Sequence, residues 1–186
     1  MTRLTTWPGA AAILTLLAAS LAVGPASADE HIYSYEPSSD AARALAQTGL
    51  SFEFERRGFG GVRIHRIVQT GERGAADVKP VSEGELGAGG LKAALGREAP
   101  AGGLYAIEPE GDGQAFIDAV CPGAEKAWLV VSMLKRFRDL TIQAVGRDQG
   151  ALASHKCVTL SFTFYNEWTL PPDRAAPRPR FTRNLP

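Results

Sequence analysis

Apolar and polar residues alternate in several short runs along the chain. Leu50, Phe52 and Phe54 share one face of an extended segment, and Ser51, Glu53 and Glu55 the other. That is the pattern of a half-buried strand. Turn-forming Gly58, Gly60 and Gly61 follow, and Val62, Ile64, Arg66 and Val68 continue into a second strand, so the pair predicts a hairpin. Leu104–Ile107 reads as a short strand. Ala127–Leu134 is almost continuously apolar, as in a strand covered on both faces. Leu140, Ile142 and Ala144 alternate along another strand. In the longest run, 157–168, Val158, Leu160, Phe162 and Phe164 oppose Cys157, Thr159, Ser161 and Thr163. The last three strands are expected to form an antiparallel meander.

Helical signals are short. Ser39 or Asp40 can cap a helix over 41–48 that Gly49 ends. Leu91, Ala94 and Leu95 have helical spacing within a glycine-rich stretch, 71–103. Phe116, Ile117, Val120 and Cys121 form the stripe of a third helix, stopped by Pro122 and Gly123. The expected fold is α+β: a mixed or antiparallel sheet of about six strands, two or three short helices and one disulfide. A β-sandwich with helical insertions is the alternative.

Residues 1–28 have the layout of a signal peptide. Arg3 provides the basic start, Ala10 to Val23 the apolar stretch, and Ala26, Ser27 and Ala28 the small residues before a cleavage point between Ala28 and Asp29. Fourteen residues are too few to span ~30 Å of hydrocarbon. The expected product is exported, periplasmic or secreted, and not integral to a membrane. Arg outnumbers Lys 15 to 5, which points to a GC-rich bacterial genome. Residues 29–170 read as one globular domain. Pro171–Pro186 reads as a Pro/Arg-rich disordered tail.

The 186 residues carry 20 basic and 20 acidic groups, which gives no support for nucleic-acid binding. Without the leader and the tail, the body has 15 basic and 19 acidic groups, so a mildly acidic domain carries a basic tail. The composition excludes collagen-like, coiled-coil and bulk-disordered classes. In an exported chain, the two cysteines are expected to join as a Cys121–Cys157 disulfide. That requires the third helix to pack on the Thr/Ser face of the last strand, or a bulge near its start to rotate Cys157.

Catalytic and metal signatures are incomplete. His155 and Cys157 lack the further ligands of a metal site. Glu108, Glu110, Asp112 and Gly113 resemble the start of a calcium loop, but Ala119 stands where its closing acid belongs. They read instead as an acidic turn with Asp112 capping a helix. Glu53 and Glu55 are explained by alternation on an exposed face. The glycines of 84–90 match neither a P-loop nor a dinucleotide fingerprint. No catalytic residue, metal or cofactor is therefore assigned.

The expected function is a non-catalytic binding or interaction module of the cell envelope. A secreted hydrolase with dispersed acidic and His residues, or a binder of a small apolar ligand, are the alternatives. Its partner would be an envelope protein or an anionic surface component. Tyr33, Tyr35, Tyr165 and Trp168, with Arg178 and Arg180 of the tail, are the candidate partner surface.

Overall fold

A computed structural model describes residues 30–57, 61–71, 74–97 and 101–169. Eight strands close into an antiparallel barrel in chain order. They are β1 (Glu30–Pro37), β2 (Leu50–Arg56), β3 (Val62–Gln69), β4 (Ala75–Pro80), β5 (Gly102–Ile107), β6 (Lys126–Ser132), β7 (Leu140–Arg147) and β8 (His155–Thr169). Three short helices accompany them: α1 (Asp40–Leu45), α2 (Gly90–Leu95) and α3 (Gly113–Val120). This corrects the expected α+β sheet of about six strands and equally the sandwich alternative. The six expected strands are present, and β6–β7–β8 is an antiparallel meander. Two further strands, β1 and β4, complete the ring.

Closure depends on the length of β8. Its lower half, His155–Phe162, pairs with β7 from Gly146 to Leu140. Its upper half, Phe162–Thr169, pairs with β1 from Pro37 to His31. Phe162 is the pivot, opposite Leu140 on one side and Pro37 on the other. β1 therefore starts beside the end of β8, at one end of the barrel.

Eight strands leave an interior that side chains alone can fill. Tyr33, Tyr35, Phe52, Phe54, Ile64, Leu129, Ile142, Leu160 and Phe162 all point inward and are buried. The aromatic rings meet edge-on, as Tyr33–Phe54 at 4.6 Å and Tyr35–Phe52 at 5.7 Å between centroids. Such pairs add to burial because ring edges are positive and faces negative.

Apolar residues of α1 and α3, including Ala42, Phe116, Ile117 and Val120, join this core at the end where β1, β3, β5 and β7 finish. That end is closed. The outer face of β5–β7 is apolar too. Leu104, Trp128, Val130 and Val145 are covered by Leu86 and Leu95, from a 3-10 turn (Glu83–Leu86) and α2. Cover on both faces explains the uninterrupted apolar run of β6.

Cys121 and Cys157 lie at disulfide-bonding distance, with Cα atoms 5.1 Å apart. Pairing skips Cys157, since Ala144 faces Val158 and Val145 faces Lys156. This bulge turns Cys157 toward Cys121, the second of the two routes that the sequence allows. Gly146 leaves room for both sulfurs, because a Cβ there would strike them. Asp112 is the N-cap residue of α3, as expected, but its side chain makes no capping hydrogen bond. Its carboxylate instead accepts from the Ala75 N–H and fixes the start of β4. Among the described residues, no helix is long and apolar enough to cross a membrane.

Candidate functional site

At the end of the barrel opposite α3, the mouth, the described residues leave a notch in the wall. β4 is short. It reaches β3 only at Arg66–Val68, and β5 only from Val78 to Pro80. Proline lacks the N–H needed to continue the ladder. The chain then runs to the outer face, where Leu86 and Leu95 bury their side chains. Among the described residues, no strand lies between the upper part of β3, from Val62, and Gly102–Gly103 of β5.

Tyr105 partly fills this gap. Its ring lies over Gly103, where a Cβ would come within 2.6 Å of it, and its hydroxyl donates a long bond of 3.5 Å to the Val62 carbonyl. Burial is the main influence on this phenol and pushes it above its ordinary value of about 10. Burial also pushes Tyr35 well up, with Tyr33 and Asp139 adding to the effect. Both phenols stabilise the fold while protonated. That contribution is complete below the unfolded tyrosine value and is lost as alkali forces charge into the core.

A cavity of about 500 Å³ occupies the notch. Val62, Ile64, Tyr105, Val131 and Leu134 give it apolar walls, and Lys135 a cation. A second recess of about 410 Å³ lies against Arg57, Val62, Arg63 and Pro80. Val62 is common to both.

The β6–β7 loop, 133–139, leans over the mouth. Leu134 drops into the core. The Arg136 guanidinium lies 4.6 Å from the Phe137 ring centre, and Phe137 packs on Phe164 at 5.4 Å. Glu167 anchors the loop. The β8–β1 register shifts between Ser34 and Tyr35, so that Glu167 faces Tyr33 on the inner side. Its carboxylate accepts from Arg56 at 2.9 Å, meets Arg136 Nε at 2.9 Å, and lies 3.5 Å from His31 Nδ1. Arg56 also donates to the Tyr33 hydroxyl at 2.9 Å.

Among the described residues, the two ends of the barrel differ in charge. The mouth gathers Arg56, Arg57, Arg63, Lys135, Arg136 and Arg138 against Glu30, Glu55, Asp139 and Glu167. At the closed end, Glu36, Asp40, Glu108, Glu110, Asp112, Asp118, Glu125 and Asp148 outnumber Arg43, Lys126, Arg147 and Lys156. A basic mouth with low-dielectric walls concentrates anions.

The residues singled out from sequence separate into three groups. Tyr165 and Trp168 are 64% and 55% exposed on the outside of upper β8, near the mouth, with Met133 and Phe137 also exposed at this end. Tyr33 and Tyr35 point inward, 3% and 2% exposed, and offer a partner no surface. The leader, the Ala28–Asp29 junction, and Arg178 and Arg180 lie outside the described residues. His155 Nε2 is 4.0 Å from Cys121 Sγ, but the paired sulfurs offer it no thiolate. Sequence reasoning missed Tyr105, Lys135, Arg136 and Glu167. The cluster of charges over 135–139 is the one local signal that could have marked this loop. No protein-family model, no curated protein and no solved structure matches the chain.

Proposed function

We propose that this chain is a small-ligand binding protein, and that the ligand is an amphiphile with an apolar body and an anionic head. One observation carries the reading: among the described residues, the notch joins apolar walls to a basic rim at the end of the barrel away from α1 and α3. A cavity of this size falls within the range of small-molecule sites, and barrel mouths are a favoured place for them. The apolar body would bury against Ile64, Tyr105 and Val131, with the head held by Lys135, Arg57 and Arg63. The exported location expected from the leader fits such a role.

Calorimetric titration with dodecanoate and with dodecyltrimethylammonium separates the contributions, since the tails match and the heads differ in sign. Dodecanoate should bind at least ~10-fold more tightly, about 1.4 kcal/mol. Reversing the rim charge with Lys135→Glu and Arg57→Glu should abolish that preference. Filling the notch with Val62→Trp should weaken both ligands. Equal affinity for the two heads, or binding indifferent to Val62→Trp, would remove the reading.

A second reading, docking on an anionic envelope surface, draws on Met133, Phe137, Tyr165 and Trp168, all exposed at this basic end. Aromatic side chains suit the lipid interface and basic ones its surface charge. Sedimentation with phosphatidylglycerol vesicles should fall several-fold in Tyr165→Ala/Trp168→Ala. Equal pelleting of that variant and the parent would dispose of it.

A further inference from the structure

We propose that Glu30, Glu53 and His65 form a divalent-metal site on the outer face of β1–β3, suited to Zn²⁺. The three come from adjacent strands. Glu53 faces Arg66 across the β2–β3 ladder, and the next pair is Phe54 with Ile64, so His65 is the extra residue of a bulge. The bulge places its ring on the outer face, between the two carboxylates. His65 Nε2 lies 2.8 Å from Glu30 Oε1 and 4.0 Å from Glu53 Oε2. One ligand atom from each residue falls within 4.8 Å of the others. Bonds of about 2.0–2.2 Å to nitrogen and oxygen set ligand atoms of a tetrahedral ion roughly 3.5 Å apart. Shifts of about an ångström would therefore seat the ion.

Electrostatics favours a cation there. The side chains are only 23%, 19% and 22% exposed, in the order Glu30, Glu53, His65. Two largely buried carboxylates side by side repel unless a positive charge stands between them. Arg66, the cross-strand neighbour of Glu53, turns instead to Asp77, with Nε 3.7 Å from its carboxylate. Among the described residues, His65 is the single salt-bridge partner of both glutamates. One imidazole with two carboxylates is the mixed nitrogen and oxygen set that Zn²⁺ accepts, and three protein ligands leave a position for water. A hard ion such as Ca²⁺ asks for six or more oxygens, so this set disfavours it.

Zn²⁺ titrated calorimetrically into the full chain should show one saturable site, while Ca²⁺ gives no such site. Co²⁺ should give visible bands of a low-coordinate nitrogen and oxygen environment. His65→Gln and Glu53→Gln should each weaken Zn²⁺ at least ~10-fold. His31→Gln and His155→Gln should leave it unchanged, which separates this site from the other two histidines. Glu30→Gln keeps the side-chain shape. Melting curves on all variants show whether lost binding accompanies an intact fold. Absence of Zn²⁺ binding by the parent chain would overturn the proposal, as would full binding by a folded His65→Gln variant.

Discussion

Replacing Cys121 and Cys157 together by alanine should lower the unfolding free energy by about 4 kcal/mol. The figure comes from the chain entropy released when the link between residues 36 apart is cut. In a domain of this size it corresponds to a fall in Tm of roughly 10–15 °C. The bond also joins α3 to the start of β8, so it ties one helix of the closed end to the strand that completes the ring. Thermal unfolding of the oxidised protein, the reduced protein and the double variant checks this. The reduced protein and the variant should melt together. A double variant that melts with the oxidised parent would show that the barrel needs no staple.

Phe162→Ala should be comparably damaging, at about 3–5 kcal/mol. Phe162 is fully buried, and it marks where β8 exchanges β7 for β1. The interior around it is close-packed, so the lost ring leaves a cavity that its neighbours refill only partly. Tyr165→Ala, three residues along the same strand but on its exposed face, should change stability by no more than about 0.5 kcal/mol. Urea unfolding of the pair measures the contrast. Similar losses at both positions would mean that the β8–β1 seam, rather than the filled interior, holds the barrel together.

The same residues show what could be read from the chain. Strands with clean alternation were legible: Leu50, Phe52 and Phe54 are buried, and Ser51 and Glu53 lie on the outer side. β1 was hidden because Ile32 lies on its outer side while aromatic Tyr33 and Tyr35 supply the inner one. β4 was hidden because Ala76 and Val78 are its only buried residues, in a glycine-rich stretch ended by Pro80. Closure itself has no local sign, since the β1–β8 pairing joins residues more than a hundred positions apart. α1 and α2 suggested a helical layer over a sheet, yet each is only six residues long.

The site was less legible still. Strict alternation from Phe162 and Phe164 would send Asn166 and Trp168 inward. The shift beside Tyr165 reverses this, so Glu167 turns into the mouth and Trp168 out. Bulges likewise decide where His65 and Cys157 point. Each is a single extra residue that depends on the partner strand, and nothing in the composition of its own strand announces it.

β8 also constrains the order in which the molecule can be made. Until residues beyond Phe162 are available, β1 has a free edge on one side and the ring has no seal. Everything before that point is an open, twisted ribbon with unpaired N–H and C=O groups along its borders. Of the eight described strands, this one leaves the ribosome last. The nascent protein therefore passes through a stage in which another copy can supply the missing edge. Its vulnerability to aggregation should be greatest just before β8 has emerged, and a chain shortened to end ahead of Phe162 would be held at that stage.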